Sequence, residues 1–263
     1  MTLAATVEGV GLVGPGLASW SAARAILAGR EPFAHAATVL PVPEALPATE
    51  RRRAGKTVRL VLGAGLEAAR MAGREAKTLA AIFASDGGEN ENCHAICEAL
   101  ASDDRLISPT RFHNSVHNAA AGYWSIATGA MAPSDAIAAF DASFAAGLLE
   151  ALVRLAANPR QPVLFVGYDT PYPEPLNGVR PIADSFAVAL VLTADDAPGK
   201  LRIEARLGSE ASTALDDAGL ERVRTGIPAA RGLPLLRALA LDRASSVALE
   251  YLGGQSLHVE VRS

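Results

Sequence analysis

The chain has 263 residues, half of them apolar, and a formal charge of −4. That composition allows a sizeable core in one α/β unit, and the acidic balance argues against nucleic acid or an anionic membrane as the principal partner. Two cysteines give no disulfide framework and point to a reducing compartment. No apolar run reaches the ~20 residues of a membrane span, and the first residues lack the pattern of a secretion signal, so a cytoplasmic protein is expected.

In chain order, Thr6 to Val13 is rich in apolar and β-branched residues and meets Gly14-Pro15-Gly16, which predicts a strand entering a turn. Ser19 to Leu27 is a predicted helix ended by Gly29. The glycine step has neither the Gly-x-Gly-x-x-Gly spacing nor the Lys-Ser/Thr of a phosphate loop. After the irregular Pro41 to Pro47 connection, one helix is predicted from Thr49 to about Met71, with Val58, Leu62, Leu66 and Ala69 on one face. Arg51-Arg52-Arg53, the only basic run, reads as its solvated start, or as a contact for an acidic carrier protein. Leu79 to Ser85 is a short buried strand, Asp86-Gly87-Gly88 a turn, and Asn90 to Leu100 a helix. Cys93-His94-x-x-Cys97 has helical spacing, one residue too many for a Cys-x-x-Cys redox pair, and reads as ordinary buried thiols.

The stretch from Phe112 to Leu152 is the centre of the chain. It predicts a buried strand, a sharp turn at Ala139-Phe140-Asp141 and a small-residue helix from Ala142. Beyond it, strands are predicted at Pro162 to Tyr168, Phe186 to Leu192 and Leu201 to Leu207, with a proline-punctuated loop from Asp169 to Pro181. A helix follows at Leu235 to Ala240, with Pro234 in its first turn, then a hairpin of Val247 to Leu252 and Ser256 to Val261 around Gly253-Gly254. The alternation of strand and helix predicts a layered α/β architecture.

A strand that turns sharply into a helix is where many enzymes expose a nucleophile, because the free N–H groups of the helix stabilise negative charge. Here that residue is Asp141. A carboxylate is a weak acyl acceptor, and an acyl-aspartate anhydride would hydrolyse readily. The simplest role for Asp141 is to cap the following helix. Ser143 lacks a Gly-x-Ser-x-Gly elbow, so packing or helix-start hydrogen bonding is expected of it. His113 and His117, four apart, would share a face if helical. Without His-Glu-x-x-His spacing and with Cys93, His94 and Cys97 only at long range, no metal site is expected. Asp169, Asp184, Asp195 and Asp196 fall where turns favour aspartate.

Asn118-Ala119-Ala120-Ala121-Gly122, Ser125-Ile126, Gly129, Pro133-Ser134 and Ala139-Phe140-Asp141-Ala142-Ser143 follow the order of the active-site region of the β-ketoacyl synthases, in the thiolase-like group. The sequence resembles that family over residues 1 to about 195, most of all its short chain-length factors from aryl-polyene-type pathways. Counted from Pro133, the family's catalytic cysteine falls on Asp141. The two downstream histidines that the resemblance would require are missing: only His258 follows Asp141, outside any matching motif. The resemblance implies one thiolase-like lobe with a mixed sheet in a single domain (1–263), with 196–263 a divergent extension in place of a second lobe. It implies a catalytically inactive subunit, without cofactor or metal, paired with an active β-ketoacyl synthase and so serving an acyl carrier protein indirectly. Residues expected near the tunnel or the dimer interface are Phe112, His113, Asn114, His117, Asn118, Tyr123, Trp124, Phe140, Asp141 and Phe144. Two other readings stand beside this one: a free-standing hydrolase or malonyl decarboxylase using Asp141, Ser143 and His117, and a homodimeric scaffold.

Overall fold

The computed structural model describes residues 2–196 and 198–262. Eight strands form one mixed sheet: β1 (Leu3–Val13), β2 (Ala80–Ala84), β3 (Ser134–Ile137), β4 (Val163–Asp169), β5 (Phe186–Thr193), β6 (Arg202–Gly208), β7 (Ser245–Glu250) and β8 (Ser256–Arg262). Their spatial order is β3-β2-β4-β5-β1-β6-β8-β7. β2 pairs in parallel with β3 and β4, and β5 runs antiparallel to both β4 and β1. β6, β8 and β7 continue the sheet past β1, each antiparallel to its neighbour.

Among the described residues ten α-helices join these strands: α1 (Trp20–Leu27), α2 (Ala48–Arg51), α3 (Lys56–Ala72), α4 (Asn90–Ala101), α5 (Pro109–Asn114), α6 (Ala119–Thr128), α7 (Ser143–Ala157), α8 (Leu176–Val179), α9 (Ala218–Gly226) and α10 (Leu233–Leu241). They cover the sheet as two layers. α3 and α6 pack on one face around Val61, Trp124, Phe83 and Val166. α1, α7, α9 and α10 pack on the other around Phe144, Phe165, Leu148 and Leu236. Sandwiched between layers, β2, β4 and β5 are buried at every residue, which is why they read as unbroken apolar runs. α3 lies almost against β1. A methyl group at Gly11 would fall 1.9 Å from the Ala64 carbonyl oxygen, and one at Gly9 would fall 2.1 Å from that of Ala68.

Several expectations are corrected. The helix predicted from Thr49 to Met71 is two helices, broken at Arg52–Gly55, where Gly55 becomes the N-cap of α3. The strand of the central stretch is not buried: β3 is a sheet edge with half its residues exposed. The helix after the turn begins at Ser143, behind a tight 3₁₀ turn at Phe140–Ala142. α5 starts with Ser108 accepting the Arg111 N–H and Pro109 in the first turn, and ends before His117. α9 was not predicted; it is signalled by Asp217, whose carboxylate accepts the Gly219 and Leu220 N–H groups. Among the described residues no helix is long and apolar enough to cross a membrane.

Candidate functional site

The three parallel strands β2, β3 and β4 end at one edge of the sheet, and an acidic residue leaves each of them there. Asp86 follows β2, Asp141 lies on the turn after β3, and Asp169 closes β4. Carboxylates gathered in this way repel one another unless cations intervene. Two arginines from later loops supply them. Arg180 Nη2 donates to Asp141 Oδ1 at 2.7 Å and to Asp86 Oδ2 at 3.0 Å. Arg231 Nη2 lies 3.3 Å from Asp141 Oδ2, and its Nη1 pairs with Glu250 at the end of β7. Tyr172 Oη also donates to Asp86 Oδ2, at 2.9 Å. Burial opposes the charge on Arg180, but the Asp141 and Asp86 carboxylates outweigh it and raise its pKa. Burial and the bond to Asp86 push the Tyr172 hydroxyl up.

Asp141 therefore does not cap a helix. Ala142 occupies the N-cap position of α7, and no side chain accepts a hydrogen bond there. The turn is closed by Ser143, whose Oγ accepts the Ala139 N–H at 2.9 Å and donates to the Phe140 carbonyl at 2.7 Å. Helix-start hydrogen bonding is thus the observed role of Ser143. Phe140 holds a left-handed backbone (φ 52°), unusual for a bulky residue. That conformation turns its ring outward, 60% exposed, and the Arg180 guanidinium stacks 3.7 Å from the ring centroid.

Asp169 lies behind this cluster. Its Oδ1 accepts the Ser85 hydroxyl (3.0 Å) and the Asp86 N–H (2.8 Å), and its Oδ2 accepts the Ala229 N–H (2.7 Å). One carboxylate thereby ties the Asp86 turn to the 228–232 turn that carries Arg231. Complete burial pushes its pKa up to about 7 against the pull of those donors. A second buried carboxylate, Glu89, accepts from the Thr57 hydroxyl and is likewise pushed up by burial.

The residues expected at the site separate into groups. Phe140 and Asp141 meet at the ion cluster. His117 sits beside it, with Nε2 3.1 Å from the Ser85 carbonyl and its ring against Gly88. His113 belongs to α5 and His117 does not, so they share no helix face. Among the described residues no three His, Cys, Asp or Glu side chains converge as a metal set. Tyr123, Trp124 and Phe144 are core, the first two on one face of the sheet and Phe144 on the other. Tyr123 donates to the buried Asn114 at 3.3 Å, and Asn118 stands at the N-cap of α6 without a side-chain bond. Phe112 is 66% exposed. Cys93 and Cys97 are both exposed, not buried, because α4 buries none of its twelve residues. Arg180, Arg231 and Glu250 escaped the sequence reading. They sit on loops or at a strand end, where charge is ordinary, and nothing in their spacing marks them.

Comparison with known proteins agrees with this fold. The family model for the N-terminal domain of β-ketoacyl synthases matches residues 20–250. No curated protein matches the chain. Among solved structures, a chain from the complex of the ketosynthase ApeO with its chain length factor ApeC, from Xenorhabdus doucetiae, is 24% identical with a TM-score of 0.75, covering 98% of this chain and 99% of that one. A chain of the ishigamide ketosynthase/chain length factor is 13% identical with a TM-score of 0.71, covering 99% of each. A chain of the AntDE:AntF complex, a type II polyketide acyl carrier protein with its ketosynthase bound to the hexaketide, is 10% identical with a TM-score of 0.77 over the full length of both. With its thiolase-like mixed sheet and a family match across most of its length, this chain belongs to the β-ketoacyl synthase N-terminal-domain family.

Proposed function

We propose that this chain is a catalytically inactive, ketosynthase-like subunit, a chain-length factor that pairs with an active β-ketoacyl synthase in a carrier-protein-dependent fatty acid, polyketide or aryl polyene pathway. The observation that carries the proposal is the state of Asp141. At the position that the sequence resemblance assigns to the family's nucleophile stands a carboxylate bound by two guanidinium groups. An ion-paired carboxylate is a poorer nucleophile than a free one, and both oxygens of Asp141 are engaged by arginine. The residues of the competing hydrolase reading are engaged elsewhere: Ser143 within its own turn and His117 on the Ser85 carbonyl. The similarity to chains from ketosynthase/chain-length-factor assemblies supports pairing with such a synthase.

The surface near the turn suits a partner subunit. β3 is a free sheet edge, and among the described residues its outer side receives no backbone hydrogen bond. Unpaired strand edges are templates for association. Phe112, Val116, Met131 and Phe140 are large apolar residues left exposed. Phe140, exposed at the turn, is our candidate to reach a partner's tunnel, while Tyr123, Trp124 and Phe144 support the lobe from within. In this reading residues 1–195 form the synthase-like lobe, and 196–263 extend its sheet.

The test is affinity capture of the tagged chain from its host, followed by native mass spectrometry. A one-to-one complex with a synthase that carries the cysteine and both histidines supports the proposal. A monomer or homodimer that ignores any synthase refutes it.

A further inference from the structure

Cys93 and Cys97 lie one helical turn apart on α4, both in solvent. Partial burial, and then the neighbouring Cys97, raise the Cys93 pKa. In a regular helix, residues four apart have Cα atoms ~6.2 Å from each other, inside the range of about 4.4–6.8 Å that a disulfide spans. Their Cβ atoms, at about 5–6 Å, must approach by roughly 1–2 Å to meet disulfide geometry. In most helices packing would resist that movement. α4 buries no residue, so the movement meets no core packing.

We propose that Cys93 and Cys97 are a reversible modification site, closed to an intrahelical disulfide by exchange with a low-molecular-weight disulfide such as oxidised glutathione. The Cys97 thiolate attacks one glutathione sulfur, forming a mixed disulfide and expelling one glutathione thiolate. The Cys93 sulfur, after losing its proton to solvent, then attacks the Cys97 sulfur and expels the second. Two protein thiols are oxidised and one glutathione disulfide is reduced to two thiols. The compressed geometry makes the product easily reduced, since strained disulfides have more oxidising potentials, so the pair is a switch and not a staple. Cys93, Cys97 and Leu100 recur at i, i+4 and i+7 on one exposed face, so closure alters the surface that α4 presents.

The test treats the full chain with oxidised glutathione and follows intact mass and maleimide labelling. The expected product has lost two hydrogens, carries no glutathione, resists maleimide and returns to two free thiols with dithiothreitol. Cys93→Ser, checked for folding by circular dichroism, stops at a single glutathione adduct. In the unmutated chain that adduct is resolved about tenfold faster or more than added glutathione removes it from the variant, because the second thiol acts at a high effective concentration. Accumulation of adducts on both cysteines, chain-to-chain disulfides or no reaction overturns the proposal.

Discussion

Strand β5 is buried at all eight positions, whereas β6, two places away in the same sheet, alternates between core and solvent until its end. The difference is one of cover. β2, β4 and β5 have helices on both faces, and they read Ala-Ala-Ile-Phe-Ala, Val-Leu-Phe-Val-Gly-Tyr-Asp and Phe-Ala-Val-Ala-Leu-Val-Leu-Thr. β6 and β8 present Ile203, Ala205, Leu257, Val259 and Val261 to the core. Their other face carries Arg202, Glu204, Arg206, His258, Glu260 and Arg262, joined in places by ion pairs such as Arg262–Glu204 at 3.0 Å. A helix layer on the second side would bury those charges at a cost that hydrogen bonds rarely offset. The sheet is therefore sandwiched at one end and open to water at the other. The ion cluster of Asp141 belongs to the sandwiched end, where a charge without a partner is expensive.

That contrast can be broken first in the sandwich. Phe165, packed edge-on against Phe144 at 5.2 Å between centroids, has no route to solvent. Phe165→Ala is expected to cost about 3–5 kcal/mol, measured by denaturant unfolding. Arg180→Ala removes the cation shared by Asp86 and Asp141, leaving Asp86 only the Tyr172 hydroxyl and Asp141 only the longer contact to Arg231. A loss on the order of 3 kcal/mol is expected, larger than for Asp141→Ala, after which Arg180 keeps Asp86 and Arg231 keeps Glu250.

The pH dependence of stability sharpens the same point. Asp169 holds its proton in the folded chain up to about pH 7, and burial is the main cause. Its unfolded pKa lies near 3.9, so between about pH 4 and 7 the folded state binds the extra proton. Stability from this group is full below pH 4 and falls as pH rises through 7. In Asp169→Asn that decline should vanish from the unfolding free energy. The variant is also less stable at low pH, because an amide cannot accept all three N–H and O–H donors. The open end of the sheet should respond least. Val259→Ala on its inner face costs about 2 kcal/mol, while Glu204→Ala on its outer face stays within about 0.5 kcal/mol.

The same contrast explains what the sequence revealed. Strands covered on both sides announce themselves as apolar runs, and β2, β4 and β5 were legible to within a residue or two. The β7–β8 hairpin was legible from Gly253-Gly254. β3 was misread as buried because its alanine and isoleucine look like core residues, yet among the described residues no strand pairs on its outer side. The resemblance set Asp141 at the family's nucleophile position, and its ionic partners were not foreseen. Arg180 is 39 residues and Arg231 90 residues farther along the chain, brought in by tertiary folding, and no local pattern encodes such a pairing. The capping role expected of Asp141 failed for the same reason: a serine two residues on made the local bonds and left the carboxylate free for the arginines.

The most direct test of the account is chemical. The chain alone, and then its Asp141→Asn variant, would be incubated with malonyl-loaded carrier protein, with and without an acyl-loaded one, and followed for carbon dioxide release and carbon–carbon bond formation. Neither is expected from this chain, with condensation appearing only when an active synthase is added. Carbon dioxide release by the chain alone that disappears in a folded Asp141→Asn variant would contradict this expectation and make Asp141 a catalytic residue.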